Sequence, residues 1–530
     1  MGASCEQPFR EGVSAPNRLA AEAGAAVLAK GGSAAEAAVA TAAALAVVYP
    51  HMNSIGGDSF WLIKRKGCAP QAIMACGQAA QAVSPSWYRK RKHKAVPARG
   101  PLACVTVPGT VRGWEALLTL PDPARRLTLS EILAPAVTWA REGFPVSASQ
   151  VRTTAPKLTD LKRRPGFASV FLQPNGRAYA QGDTLVQTAL ADTLETLAQN
   201  GVQDFYTGEV AARMCRELAQ LGSPLTADDF ASCRARTAEP LHLNALGCDL
   251  YNVPAPTQGI VSLMILGVME RLAADPRDPV GFVHAAVEAS KLIFAWRDHF
   301  IGDPAHMRVD VTPYLTKPSL RTMASLIRTD CATGFVPVSA KGDTVWFGVV
   351  DKDGTAVSAI QSIYWEYGSG VVLQDSGVTM QNRGCAFNFN ENHPNCLRPG
   401  AVPFHTLNPA MAVTADNRVI AYGTMGGDGQ PQTQTAVLLR HLAGMSLEEA
   451  IAAPRWLYGR TWGETSSRLR LESRFDPIVA EGLRALGHDV EVLAEPFSDL
   501  MGHAGALSLT AEGLVQGASD PRSDGAFVGL

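Results

Sequence analysis

The sequence predicts a mixed α/β protein whose sheets take strands from both halves of the chain. Three observations carry that expectation: an alanine-rich opening that reads as two helices, a strand soon after it, and a run of clear strands beginning at Thr344. Strands early, helices between them and strands late imply sheets assembled from distant segments.

The first helix is expected over residues 17–30, because alanine dominates it and Gly31-Gly32 supplies a stop. Ser33-Ala34-Ala35-Glu36 then has capping-box form, with a hydroxyl and a carboxylate for the free amides of the next helix's first turn. Alanine at most of the following positions implies close helix packing. The text turns to loop over 50–58 and to strand over 59–64, and helices are expected over 129–142, 188–200 and 208–221. Residues 305–343 show little periodicity, and much of the stretch reads as irregular linker. From Thr344 to Asp351 the chain reads as strand. A turn at Lys352-Asp353-Gly354 returns it over 355–362 as a hairpin. Another strand is expected over 418–424, followed by Met425-Gly426-Gly427-Asp428-Gly429 and a helix over 433–442.

A chain of 530 residues exceeds a usual single core, so one very large domain and two packed lobes both remain open. A formal net charge of -2 offers no field for nucleic acid or an anionic membrane, and neither is expected as a partner. The ten cysteines are scattered, with neither a CxxC pair nor a zinc spacing, so no metal and no cofactor is expected. The opening residues show no signal-peptide pattern, and the most apolar run, 37–50, is too short to span a bilayer. A cytoplasmic protein with reduced thiols is expected. The basic run Arg89-Lys90-Arg91-Lys92-His93-Lys94 reads as a solvated surface turn.

Seven ordered segments point to one family. They are Gly31 to Ala40, His51 to Phe60, Val107-Pro108-Gly109-Thr110-Val111-Arg112-Gly113-Trp114, Arg297-Asp298-His299-Phe300-Ile301-Gly302-Asp303-Pro304, Gly342 to Asp351, Tyr367-Gly368-Ser369-Gly370-Val371-Val372 and Met425-Gly426-Gly427. Together they resemble the gamma-glutamyltransferase family of N-terminal-nucleophile hydrolases, over nearly the whole chain. The resemblance implies a four-layer αββα sandwich, made of a large subunit (1–343) and a small subunit (344–530) that fold as one unit. It implies autocleavage between Asp343 and Thr344, and a dimer of such heterodimers is one possible assembly.

Threonine is a weak nucleophile and needs an adjacent base. Cleavage would supply one, because a free α-amine titrates near ~7.7–8.0, within range for a general base at neutral pH. No G-x-S-x-G motif offers an alternative nucleophile. By resemblance, Thr344 is the nucleophile, Gly426 and Gly427 form the oxyanion hole, and Ser362 orients the threonine. A glycine pair between a strand and a helix suits that role, since free amides and the helix dipole meet developing negative charge there.

Several positions depart from the family pattern. Cys76 stands where an arginine holds the glutamate carboxylate, Tyr364 replaces an asparagine, Arg383 a glutamine and Ala386 an acid, and His405-Thr406 replace paired serines. Charged partners for an amino-acid zwitterion are therefore missing, and leaving such charges unpaired in a pocket costs several kcal/mol. Arg383 offers a planar fork for a carboxylate, His405 and Thr406 offer hydrogen-bond donors, and Tyr364 shortens the pocket. These departures resemble an oxamate amidohydrolase-like subgroup, which implies a small amide as substrate: oxamate, converted to oxalate and ammonia in purine (allantoin) breakdown. The alternative expectation is a gamma-glutamyltransferase or glutathione hydrolase. An unprocessed binding or scaffold protein is the reading from another class.

Overall fold

The computed structural model describes residues 9–121, 127–334, 342–459 and 468–530, the side chain of Asp343 excepted. The opening residues and part of the segment read as linker thus lie outside the described residues. Two antiparallel sheets stack face to face. One has seven strands in the order Ala526–Gly529, Gly12–Ala15, Asp343–Val350, Ala356–Tyr364, Asp58–Lys64, Gln71–Ala75, Arg236–Ala238. The other has six, in the order Val515–Ser519, Ala504–Leu509, Val419–Thr424, Ala410–Thr414, Cys248–Asn252, Leu241–Ala245.

Period-two alternation explains the layering. In the Asp343–Val350 strand, Val345, Phe347 and Val349 face the core shared with the alanine-rich helices, whereas Trp346 and Val350 face the other sheet. In the Val419–Thr424 strand, Val419 and Ala421 face the inter-sheet core, and Ile420 and Tyr422 face the helices on the outer side. Each sheet is apolar on both faces, and three cores separate four layers: helices, sheet, sheet, helices. This is the αββα sandwich expected from the resemblance, with both halves of the chain supplying strands to each sheet.

The capping box at Ser33 and Glu36 forms, and the helix Ala34–Val48 behind it is buried along its whole length. Its packing on Arg18–Ala29 is so close that a Cβ on Gly24 would lie 2.2 Å from Thr41 Oγ1. The Ala34 amide, at the start of that helix, donates to Asp351 Oδ2 at 2.8 Å, which ties the helix to the turn of the hairpin that begins at Asp343. Between the sheets, Trp346 is the wedge, its Nε1–H donating to Ser358 Oγ at 3.0 Å. A Cβ on Gly423 would lie 2.1 Å from the Trp346 ring, and one on Gly505 2.3 Å. Overpacking of this kind costs roughly 1–3 kcal/mol. Gly423→Ala is expected to lower the unfolding free energy by that amount, read as a lower urea midpoint with an unchanged slope of the transition.

One expectation is refined and one corrected. The stretch 305–343, much of it expected as irregular linker, contains a short 3-10 turn, Thr312–Leu315, and the helix Lys317–Ser325, whose Leu320 packs into the outer helical core. Lys317-Pro318 open that helix with proline in its first turn, and only Leu320 and Ala324 are buried in it, too few apolar positions to show a period. The helix expected over 433–442 starts earlier, at Gly429, because its first turn is built of Gly, Gln and Pro, which carry no apolar signal.

Candidate active site

Thr344 lies next to the start of an inner strand, and its neighbour across the sheet is irregular there. Gln361 pairs with Val345 and Tyr364 with Asp343, so Ser362 and Ile363 together oppose Thr344 in a β-bulge. Bulges interrupt a ladder and re-aim side chains beside functional sites. Thr344 is 1% exposed, and its Oγ1 has no hydrogen-bond partner among the described residues. Ser362 is buried in the bulge, where its Oγ accepts from the Tyr364 amide at 2.8 Å. Tyr364 takes the left-handed conformation, φ 81°, which is costly for a non-glycine residue. Its ring thereby lies over the Arg383 guanidinium, 4.0 Å from ring centre to Cζ.

Gly426 and Gly427 both have positive φ, 117° and 54°, a conformation that favours glycine. They precede the fourteen-residue helix Gly429–Leu442, and neither amide donates a hydrogen bond to a described residue. Two free amides at a helix N-terminus form a site for negative charge. Gln258 holds this loop in place: its Nε2 donates to the carbonyls of Gly427 and Thr406, both at 2.9 Å. Arg297 in turn donates to Gln258 Oε1 at 2.9 Å and to Asp428 Oδ1 at 2.7 Å. The Thr406 side reaches the start of the Thr344 strand directly, since a Cβ on Gly342 would lie 2.9 Å from Thr406 Oγ1 and 3.1 Å from the Tyr364 ring. Thr344, Tyr364, Arg383, Thr406 and the glycine pair are thus linked through a short chain of contacts.

Arg383 is fully buried, and none of its three guanidinium nitrogens has a hydrogen-bond partner among the described residues. Burial pulls its pKa below the usual arginine value, with Tyr364 and Asp58 acting in the opposite sense. An arginine remains a cation under such a shift. Thr406 Oγ1 is likewise buried without a partner. The site therefore presents one unpaired cation, one unpaired side-chain hydroxyl besides that of Thr344, and two free amides. Tyr364, Cys385 and Ala386 also line a cavity of about 550 Å³, whose other walls include Arg297, Phe387 and Phe404.

His405 differs from the expected free donor. Its Nδ1 lies 2.7 Å from the Pro403 carbonyl and its Nε2 3.0 Å from Asp58 Oδ2, so both ring nitrogens are engaged within the protein. Burial, then the Arg383 charge, pull its pKa below the usual histidine value. Asp58, at the end of the strand beside Ser362, was part of a loop in the sequence reading. Its Oδ1 accepts the amides of Gly77 and Gly109, both at 3.0 Å. Cys76 sits in the inter-sheet core, and burial pushes its thiol well above the usual range, as expected of a packing cysteine. Among the described residues, His284, Glu288 and His488 approach one another within 4.8 Å. Glu288 there already binds Lys291 and Thr333, while the two imidazoles bond each other at 2.8 Å. No described helix is long and apolar enough to cross a membrane.

The family model described as gamma-glutamyltranspeptidase matches residues 20–530. The chain belongs to the gamma-glutamyltranspeptidase family. It is 50% identical to the oxamate amidohydrolase proenzyme of Klebsiella pneumoniae over 518 residues, 97% of each chain. It is 40% identical to the glutathione hydrolase-like YwrD proenzyme of Bacillus subtilis over 527 residues, 98% of each. Among solved structures, cephalosporin acylase from Bacillus halodurans matches with a TM-score of 0.89 at 29% identity, covering 100% of this chain and 97% of that one. The relatives are hydrolases by name, and the architecture is that of N-terminal-nucleophile hydrolases.

Proposed function

We propose that the protein is a self-processing amidohydrolase that cuts itself between Asp343 and Thr344 and then hydrolyses a small amide bearing a carboxylate, with oxamate as substrate. The observation that carries this reading is the buried Arg383 guanidinium, whose nitrogens find no hydrogen-bond partner among the described residues. A cation so placed is costly unless a ligand anion pairs with it. An arginine fork takes a carboxylate in bidentate fashion, and Thr406 Oγ1 offers a further donor.

Processing begins with Thr344 Oγ1 attacking the Asp343 carbonyl carbon. The peptide nitrogen leaves as the amine of Thr344, and the resulting ester is opened by water, giving the Asp343 carboxylate and a free N-terminal threonine. In turnover, the α-amine takes the hydroxyl proton as Oγ1 attacks the amide carbonyl of oxamate. The amides of Gly426 and Gly427 hold the oxyanion. The proton passes to the departing ammonia, leaving an oxalyl ester on Thr344, and water releases oxalate. Cleavage into two chains is supported by the proenzyme names of both relatives, and oxamate by the one at 50% identity.

A gamma-glutamyl substrate is disfavoured because its α-amino group needs an acid, and Ala386 stands where the family pattern has one. Purified protein is expected to release ammonia from oxamate while leaving gamma-glutamyl anilide intact. Turnover of the anilide in preference to oxamate overturns the substrate assignment.

A further inference from the structure

His405 and Asp58 carry an unusual proton count. The Pro403 carbonyl can only accept, so Nδ1 of His405 must bear a hydrogen. Asp58 Oδ1 accepts two backbone amides, which leaves Oδ2 to meet Nε2 at 3.0 Å. A second proton must lie between these two atoms, on the imidazole or on the carboxyl. Wherever it sits, the pair as a whole is neutral. The ionisable groups acting on it are Arg383, the Cys76 and Cys233 thiols and the Tyr206 hydroxyl, and Phe60 packs its ring edge-on against the imidazole.

Asp58 is also close enough to Arg383 to act on its charge, yet no described carboxylate lies in ion-pair contact with that guanidinium. We propose that His405 neutralises Asp58 so that Arg383 keeps no counter-ion of its own and stays available to a substrate carboxylate. This rests on the reading of Arg383 given above. His405 is then a positioning residue that never touches substrate: it sets specificity by withholding an acid from the binding cation. An Asp58 without its partner would lower the positive potential at Arg383, and the substrate anion would bind less well.

The test is steady-state kinetics with oxamate on processed protein. His405→Gln fits the space with an uncharged amide that can donate to Asp58 but cannot neutralise its charge. It is expected to raise KM by about tenfold or more while kcat changes by no more than a few-fold, the pattern of lost substrate binding. Adding Asp58→Asn removes the acid left without its neutralising partner, and its amide oxygen can still accept from Gly77 and Gly109. The double variant is expected to recover most of the lost affinity. A merely structural role predicts the opposite, a double variant no better than the single one, and that result overturns the proposal. Thermal melting and the two-band pattern on a denaturing gel check that each variant folds. Should His405→Gln fail to process, Asp58→Asn alone decides: KM within a few-fold of the parent supports the proposal, and a large rise contradicts it. Arg383→Gln separates the two levels. An unchanged KM there ends the reading of Arg383 itself, whereas a raised KM without rescue in the double variant ends only the role of His405.

Discussion

Thr344→Ala is expected to run as a single uncut chain on a denaturing gel and to release no measurable ammonia from oxamate. In the proposed mechanism the same hydroxyl serves both events, first against the Asp343 carbonyl and then against the substrate, so its removal stops the sequence at the first step. Loss of a catalytic nucleophile lowers kcat by roughly 10⁴-fold or more even where the rest of a site survives. The fold is expected to stay intact, because Thr344 Oγ1 makes no hydrogen bond among the described residues that its loss would break. Thr344→Ser keeps the hydroxyl and is expected to process. Normal cleavage of the alanine variant, read on the same gel, removes Thr344 from the mechanism.

Arg383→Met is expected to stabilise the protein while abolishing useful affinity for substrate. The guanidinium is fully buried with no hydrogen bond among the described residues, and replacing a charge without a counter-ion there by an apolar side chain of similar length removes a desolvation cost. The Tyr364 ring, 4.0 Å from the guanidinium carbon, is an equally good neighbour for a thioether. Cutting one member of a buried charge pair costs about 2–5 kcal/mol of binding, a rise in KM of roughly 30-fold or more. The two readouts move in opposite directions, as expected where a site trades stability for function. A drop in melting temperature with an unchanged KM identifies Arg383 as a structural residue.

Much of this was legible in the sequence because it rests on local rules. The capping box at Ser33 and Glu36, the hairpin from Thr344 and the glycine pair before a helix all announce themselves within a few residues. The bulge did not. Nothing in Gln361-Ser362-Ile363-Tyr364 shows that two residues will oppose Thr344, since register depends on the partner strand. Gln258 was missed because a glutamine in a loop carries no pattern, and its importance lies in two carbonyls far away in the chain. Arg297 stood in a segment that marked the family, yet its bonds to Gln258 and Asp428 appear only in three dimensions. His405 was singled out correctly as a departure from the family pattern. Its partner Asp58 was hidden in a glycine-rich loop 347 positions away, so the ring looked free when it is held at both nitrogens.

The N-terminal sequence of the smaller fragment, read from purified unmodified protein, bears most directly on the chemistry. A fragment that begins at Thr344 with an unblocked amine is the expected finding, together with a larger piece ending at Asp343. An intact 530-residue chain that nevertheless turns over substrate, or a cut elsewhere with activity retained, contradicts it.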